Sequence, residues 1–282
     1  HVIAAWPEDG SNAVITGLFP RKSCFLRKAA GTQKQEQVVA ANIDIVFICM
    51  SLNNNFNIRR LERYLSVAYD SGAAPVVVLT KSDLCSDVGS KITEAQNAAP
   101  GVDVLAISSL DEDYEAVMKY ILPGKTVAFI GSSGVGKSTL INKLTGTDSI
   151  ATREIGNDDK GRHTTTHREL ITLQNGAFVI DTPGMRELGM WDSGDGINTA
   201  FADIEELSRA CKYADCTHTS EPGCAVLKAL ADGTLDAARL ASYRKLKTEN
   251  DYAADNSRYL EAKRAKFKEI AKINKSGRKN RY

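Results

Sequence analysis

The sequence lacks long apolar runs, a signal pattern and an excess of charge of either sign. No apolar stretch approaches the roughly 20 residues that a membrane-spanning helix needs, and the chain opens at His1 without the basic-then-apolar pattern of a signal peptide. The net charge is +1, so an RNA partner must be argued from local charge. We therefore expect a cytoplasmic protein that does not enter a membrane.

Disulfides are excluded as a framework, because they are rare in the cytoplasm. Cys24, Cys49 and Cys85 are scattered, and Cys49 lies in an apolar stretch where a small hydrophobic residue would serve. The remaining composition, 43% hydrophobic and 25% charged, is typical of a globular protein, and 282 residues allow two or three domains.

The most specific motif present is a phosphate loop. Residues 131–138 read G-x-x-x-x-G-K-S, between an apolar strand predicted at Thr126–Ile130 and a helix predicted from Lys137. Glycines let backbone N–H groups turn toward phosphates, and the positive end of the helix faces the same anion. Lys137 is expected to reach the outer phosphates, and the Ser138 hydroxyl to bind Mg²⁺. The candidate nucleotide-binding residues here are Gly131, Ser132, Ser133, Gly134, Val135, Gly136, Lys137, Ser138 and Thr139.

Two earlier loops are expected to read the base. Residues 80–83 read T-K-S-D and fit the [NT]-K-x-D pattern, in which the Asp83 carboxylate accepts from two adjacent guanine N–H groups that adenine lacks. The Lys81 stem would lie across the base. The loop 108–110 resembles the serine-rich loop that touches the guanine carbonyl in GTPases. The preference for GTP over ATP depends on Asp83 recognising guanine. The candidates are Thr80, Lys81, Asp83, Leu84, Ser108 and Ser109.

A third GTPase signature, D-T-P-G, follows the apolar strand predicted at 178–180. Asp181 would hold Mg²⁺ through a water, and the Gly184 amide would sense the γ-phosphate. The polar segment 161–167 precedes that strand and reads G-R-H-T-T-T-H. One of its threonines should complete the Mg²⁺ shell, and the candidates are Thr164, Thr165 and Thr166.

Hydrolysis needs a positioned water, and Met185 stands where many GTPases have a glutamine. A thioether cannot orient a water, whereas an imidazole can accept a hydrogen bond from one. His163 is therefore the candidate for orienting the water, and Lys137 and Gly184 are the other two catalytic candidates. The alternative is a surface histidine in a loop, and His167 has no assigned role. We predict slow intrinsic turnover, about 10⁻⁴ to 10⁻² s⁻¹, with stimulation by a partner.

The order of the motifs indicates a circular permutation. The base-reading loops precede the phosphate loop, whereas most GTPases have them after it. Strand and helix alternate from residue 43 onward, which predicts an open α/β fold with Thr80, Ser108, Gly131 and Asp181 at the carboxyl ends of strands. Asn57 is expected to cap a helix that buries an apolar stripe. The chain then leaves the nucleotide domain directly after D-T-P-G.

The region beyond residue 196 is expected to be helical and contains a group of soft metal ligands. Four ligands within fourteen residues suit tetrahedral Zn²⁺, and with no position left for water the site would be structural. The spacing is not that of a common zinc finger. The candidate zinc ligands are Cys211, Cys216, His218 and Cys224.

Basic residues are concentrated near both ends of the chain. Residues 257–282 hold ten Lys or Arg and two acids, and the N-terminal patch has no acid before Glu36. Either a solvated basic face or an RNA surface would explain them. The N-terminal patch comprises Arg21, Lys22, Arg27, Lys28 and Lys34.

The motif order, with G-R-H-T-T-T and D-T-P-G-M-R-E, resembles the circularly permuted GTPases that depend on the small ribosomal subunit, the RsgA or YjeQ family. The resemblance implies a circularly permuted P-loop GTPase domain over 43–198, preceded by a partial OB-type β-barrel over 1–42 that binds RNA. A helical zinc-binding domain with a basic tail would follow over 199–282. Residues 1–42 are too few to close a barrel, so its first strands would be missing. The family pattern also implies that the three cysteines and the histidine are the zinc ligands, and it favours His163.

The resulting interpretation is a monomeric GTP hydrolase that binds the small ribosomal subunit and its rRNA late in maturation. GTP would favour the bound state, and hydrolysis to GDP would favour release. Two alternatives stay open: a nucleotide-stabilised RNA-binding module with incidental hydrolysis, and a signalling GTPase with a protein partner.

Overall fold

The computed structural model describes residues 2–7, 12–28, 36–53, 55–108, 114–146, 169–181 and 194–252. The strands are β1 (Val2–Ala5), β2 (Val14–Leu18), β3 (Cys24–Lys28), β4 (Glu36–Ala41), β5 (Ile45–Ser51), β6 (Ala74–Thr80), β7 (Val104–Ala106), β8 (Thr126–Ile130), β9 (Glu169–Thr172) and β10 (Phe178–Asp181). The helices are α1 (Ile58–Ser71), α2 (Val88–Ala98), α3 (Glu115–Met118), α4 (Lys137–Thr145), α5 (Gly194–Ala200), α6 (Ala202–Ser208), α7 (Ala225–Ala231) and α8 over 237–252. None of these helices combines the length and apolar character needed to cross a bilayer.

Six strands form one sheet in the order β7-β6-β5-β8-β10-β9. The first five pair in parallel, and β9 pairs antiparallel with β10 at the edge. The central strand β8 leads into the phosphate loop although β5, β6 and β7 precede it in the chain. The open α/β fold with permuted order is therefore confirmed. Strand β9 was not predicted, because its four residues are mostly exposed and show no distinct apolar pattern.

Helices cover both faces of the sheet and create two apolar cores. On one face, α1 buries Leu61 and Leu65 in the same cluster as Ile48. On the other face, α4 buries Leu140 in the same cluster as Phe47. Neighbouring residues of β5 thus enter opposite cores, which explains why this strand is a continuous apolar run.

Helix α1 begins where the sequence predicts. Asn57 is its N-cap, and the Asn57 side chain accepts a hydrogen bond from the Arg60 backbone N–H at 3.0 Å. The helix ends at Gly72, whose φ of 80° places it in the left-handed region that favours glycine.

The N-terminal residues form two separate two-stranded antiparallel sheets, β1–β2 and β3–β4. Phe25 and Val39 of the second sheet are buried in the same core as α1, whereas β1 and β2 are largely exposed. Within the described residues, this arrangement agrees with the expectation that residues 1–42 do not close a barrel. Strand β4 was not predicted.

The C-terminal helices pack against α1 and are joined to it by a buried ion-pair network. Arg239 of α8 is only 7% exposed, and its guanidinium donates to both carboxylate oxygens of Asp203, each at 2.7 Å. The same group donates to Glu62 of α1 at 3.1 Å and stacks 4.8 Å from the Phe201 ring. The network fixes α8 against the helix that flanks the central sheet.

Candidate functional site

The predicted nucleotide loops meet at the carboxyl edge of the parallel sheet. Thr80 ends β6, Gly131 follows β8 and Asp181 ends β10, while Ser108 lies just beyond β7. Parallel strands whose carboxyl ends share one edge bring these loops together, as the sequence predicts.

The phosphate loop is shaped by its glycines and by one buried lysine. Gly131 has a φ of 142°, and a Cβ there would lie 2.3 Å from the Cys49 carbonyl oxygen, so no other residue fits. Gly136, with a φ of 93°, precedes the first turn of α4. The buried Lys137 Nζ donates to the carbonyls of Gly131 at 2.7 Å and Ser132 at 2.6 Å. The lysine therefore sits inside the loop, where phosphates are expected.

Thr80 connects the base-reading loop to the phosphate loop. Its hydroxyl donates to the Val135 carbonyl at 2.6 Å, and the residue is 5% exposed. Sequence reasoning placed Thr80 among the nucleotide-binding residues, and this contact between two loops 55 residues apart was not predicted. The bond fixes the spacing between the expected base site and the expected phosphate site.

Asp83 and Ser108 are brought together by the fold. The Ser108 hydroxyl donates to Asp83 Oδ1 at 2.7 Å. Lys81 adopts a left-handed conformation with a φ of 58°. The short 3₁₀ turn Ser82–Leu84 follows it and leaves Leu84 exposed.

A cavity of about 60 Å³ lies between these loops, and Lys81, Tyr114 and Thr139 are among the residues lining it. Tyr114 was missed by sequence reasoning because no motif marks it. Its ring lies 4.6 Å from Lys143 Nζ of α4. The cavity thus lies between the base-reading loop at Lys81 and the start of α4 at Thr139.

Arg60 of α1 reaches the phosphate loop from the side. Its Nη1 donates to the Ser132 hydroxyl at 2.8 Å and to Asn55 Oδ1 at 2.6 Å. No local sequence signal predicts this contact, because the arginine and the serine are 72 residues apart.

Several predicted residues lie outside the described part of the chain. They are Ser109, His163, Thr164, Thr165, Thr166, His167, Gly184, Met185 and the basic segment 257–282. The backbone of Asp181 ends β10, and that of Arg27 and Lys28 belongs to β3, but their side chains are also outside the description. Arg21 and Lys22 are exposed, as an RNA-contacting role requires.

The three cysteines and the histidine converge as the sequence predicts, and could hold a metal ion. The ligand atoms of Cys211, Cys216, His218 and Cys224 all lie within 4.8 Å of one another. The sulfurs of Cys211 and Cys224 are 3.8 Å apart, and His218 Nδ1 is 3.6 Å and 3.4 Å from them. A disulfide requires about 2.05 Å, whereas tetrahedral Zn–S bonds of about 2.3 Å separate sulfurs by about 3.8 Å. The donor set and its spacing fit zinc.

Local backbone features place these ligands. His218 adopts a left-handed φ of 57°, and Gly223 has a φ of 78° just before Cys224, the N-cap of α7. Burial opposes ionisation of Cys211, but backbone hydrogen bonds from Ala225 and Val226 lower its pKa. Burial raises the pKa of Cys49 to about 12, so this thiol stays neutral, as expected of a small core residue.

Comparison with known proteins adds to these observations. Residues 18–191 match a family model described as RsgA GTPase. The chain is 53% identical over 253 residues to small ribosomal subunit biogenesis GTPase RsgA 2 of Lactiplantibacillus plantarum, covering 89% of this chain and 71% of that protein. It is 46% identical over 250 residues to the RsgA of Methanosarcina acetivorans, covering 88% and 68%.

Two solved structures are also similar. YjeQ from Thermotoga maritima has a TM-score of 0.65 at 25% identity, covering 88% of this chain and 82% of that one. YloQ, described as a circularly permuted GTPase, has a TM-score of 0.58 at 24% identity, covering 89% and 90%, and shows the fold alone.

Proposed function

The chain belongs to the RsgA GTPase family, and from this premise we propose that it hydrolyses GTP as a switch in the maturation of the small ribosomal subunit. The observation that carries the proposal is the hydrogen bond from the Thr80 hydroxyl to the Val135 carbonyl, which holds the base-reading loop against the phosphate loop. Asp83 of the same base-reading loop is paired with Ser108, so a carboxylate suited to guanine belongs to a loop that contacts one suited to a triphosphate. The names of the two relatives support the ribosomal partner.

In the proposed complex, the backbone N–H groups of residues 131–138 surround the phosphates and Lys137 neutralises the outer ones. Asp83 accepts from the guanine N–H groups, and Lys81 covers the base. Ser138, Asp181 through a water and one threonine of 164–166 would hold Mg²⁺, which supplies positive charge at the phosphate oxygens.

We assign the orientation of the attacking water to His163 and the sensing of the γ-phosphate to the Gly184 amide. The sequence offers Met185 where a glutamine would orient water, so intrinsic turnover is expected to be slow and to rise when the small subunit binds.

The cysteine and histidine cluster is proposed to bind one structural Zn²⁺. Its four ligands satisfy a tetrahedral ion and leave no position for a reacting water. The ion would fix the loop that leads into α7.

The flanking parts are proposed to hold the ribosomal subunit while GTP is bound and to release it after hydrolysis. The proposed domains comprise residues 1–42, 43–198 and 199–282. In the first domain, Arg21, Lys22, Arg27 and Lys28 are proposed to contact RNA. The chain would act as a monomer, and a ribosomal partner is consistent with the predicted cytoplasmic location.

The test measures GTP hydrolysis by the purified chain with and without small ribosomal subunits, at two salt concentrations. We expect strong stimulation that weakens at higher salt, because phosphate contacts release counterions. Absence of stimulation would contradict the ribosomal assignment while leaving GTP hydrolysis in place.

The variant His163→Ala separates a switch from a passive RNA-binding module. A switch requires slower hydrolysis together with slower release from the subunit. Normal release in this variant would support the passive module.

A further inference from the structure

A basic cleft lies between α1 and α8, outside the nucleotide site. Its volume is about 350 Å³, and its polar lining includes Arg59, Arg60, Arg63 and Lys245. It therefore spans the contact between the helix that flanks the central sheet and the long C-terminal helix.

Part of this positive charge is neutralised within the protein. Arg63 pairs with Glu249 through two bonds of 2.7 Å and 3.0 Å, and hydrogen bonding to Arg63 lowers the pKa of that carboxyl. Arg59 contacts Glu62 at 2.5 Å and Asp236 at 3.2 Å. The acids Glu62, Asp236 and Glu249 are thus already engaged by the arginines of the cleft.

Arg60 and Lys245 give the cleft its net charge. Neither has a carboxylate within 4.0 Å among the residues that the structure describes. The bonds of Arg60 go to the neutral oxygens of Asn55 and Ser132, and Lys245 is exposed. The Lys245 charge acts on the Glu249 carboxyl only at longer range, without a contact between them. The cleft therefore holds two cations without a carboxylate in contact in the described part of the chain, which favours an anionic ligand.

The shape and composition of the cleft favour a phosphate over a base. Guanidinium groups match phosphate oxygens geometrically. Tyr64 borders the cleft but is only 6% exposed, so its ring offers no free face for stacking. The volume suits one nucleotide of a chain.

We propose that this cleft binds the sugar-phosphate backbone of RNA, and that Arg60 links its occupancy to the phosphate loop through Ser132. The choice of RNA as the anion rests on the proposed function. Recognition is independent of sequence, because the available contacts are charges and not base-reading groups.

The direct test measures binding of the full chain to a fluorescent single-stranded RNA of mixed sequence and to purified small ribosomal subunits, across a salt series. The variant is Lys245→Gln, with Lys245→Arg as the charge-preserving rescue. The matched control is Lys119→Gln, an exposed lysine beside α3, which packs on the opposite face of the sheet.

Losing one phosphate contact should weaken RNA binding several-fold at low salt and reduce the slope of log K against log salt by about 0.7 to 0.9. Intrinsic GTP hydrolysis should not change in Lys245→Gln, Lys245→Arg should restore binding, and Lys119→Gln should bind like the parent chain. Equal RNA binding by Lys245→Gln and the parent chain would overturn the proposal while the ribosomal function stands.

The other outcomes also decide between the ideas. RNA binding that depends on Lys245, with no binding to subunits, would support the cleft and reject the ribosomal function. Failure of the parent chain to bind either the RNA or the subunits would reject both. If Lys245→Gln weakens the binding of adenosine monophosphate but not the binding of RNA, the cleft binds a free nucleotide and the proposal is overturned.

The link through Arg60 is tested by Arg60→Gln. This variant should weaken RNA binding and also change GTP affinity, whereas Lys245→Gln should change RNA binding alone. Unchanged GTP affinity in Arg60→Gln would overturn the link.

Discussion

The nucleotide loops and the cysteine cluster are both surface sites, but different forces hold them in shape. The nucleotide loops are fixed by backbone: strand ends set their positions, and glycine conformations and the buried Thr80 and Lys137 side chains set their form. The cluster brings together three sulfurs and one imidazole nitrogen within 4.8 Å at the start of the short helix α7.

This difference predicts opposite responses to ligand loss. The nucleotide loops are part of the sheet and its cores, so they should keep their shape without nucleotide. Without a cation the three crowded sulfurs would be protonated, and neutral thiols attract one another only weakly, so the cluster should depend on its metal.

The largest effect is therefore expected from removing the metal. Cys216→Ser, or chelation, should abolish Zn²⁺ binding and unfold the segment around α6 and α7, because structural zinc contributes about 10 to 16 kcal/mol in small zinc-binding peptides. Cys216 is the clean choice because Cys224 also caps α7. The measurements are zinc content and hydrogen exchange of residues 201–231.

Cys24→Ser is the matched control, since Cys24 lies in β3 and is not one of the four clustered ligands. GTP affinity should be retained in both variants. Full protection of residues 201–231 after chelation would show that packing alone holds the cluster, and would remove the contrast with the nucleotide loops.

The second prediction concerns the backbone of the phosphate loop. Gly131→Ala should weaken GTP binding by about 3 kcal/mol or more, roughly 100-fold, because the new Cβ meets the Cys49 carbonyl and the φ is strained. Gly124→Ala is the control, because Gly124 also has a positive φ of 73° but has open space around it. It should cost about 1 kcal/mol of folding stability and leave GTP affinity unchanged. Similar GTP affinities in the two variants, measured by calorimetry, would contradict the close-contact argument.

The same contrast explains which parts of the fold and of the two sites could be predicted from the sequence. Strands β5, β6, β8 and β10 are apolar runs that end in recognisable loops, so their order and the meeting of the loops could be predicted. The cluster could be predicted from ligand type and spacing.

Contacts between distant residues could not be predicted. Arg60 meets Ser132, and Thr80 meets Val135, only because the sheet brings their loops together. Strand β9 was missed because a short, mostly exposed edge strand lacks a strong apolar pattern, whereas β4 was missed although its residues 38–41 are apolar. Tyr114 belongs to no motif, and only the structure shows that it lines the cavity.

The third prediction tests base recognition. Asp83→Asn should weaken GTP binding by about 1.5 to 3 kcal/mol, roughly 10- to 100-fold, because a carboxylate that accepts guanine N–H groups is lost. Binding should shift toward xanthosine triphosphate, whose carbonyl can accept from the new amide. An unchanged base preference would remove the assignment of guanine to this loop, although the fold should be unaffected because Asp83 is exposed.

The smallest effect is expected at Ser108, and it shows whether this residue acts directly or through Asp83. The sequence predicts that this loop touches the guanine carbonyl, whereas the structure directs the Ser108 hydroxyl to Asp83 Oδ1. Ser108→Ala should weaken GTP binding by about 0.5 to 1.5 kcal/mol, roughly 2- to 12-fold. If Ser108 only orients the carboxylate, its removal should cost much less in an Asp83→Asn background. Equal losses in the two backgrounds would mean that Ser108 contacts the base independently, and that this side of the nucleotide site takes its final form only with GTP bound.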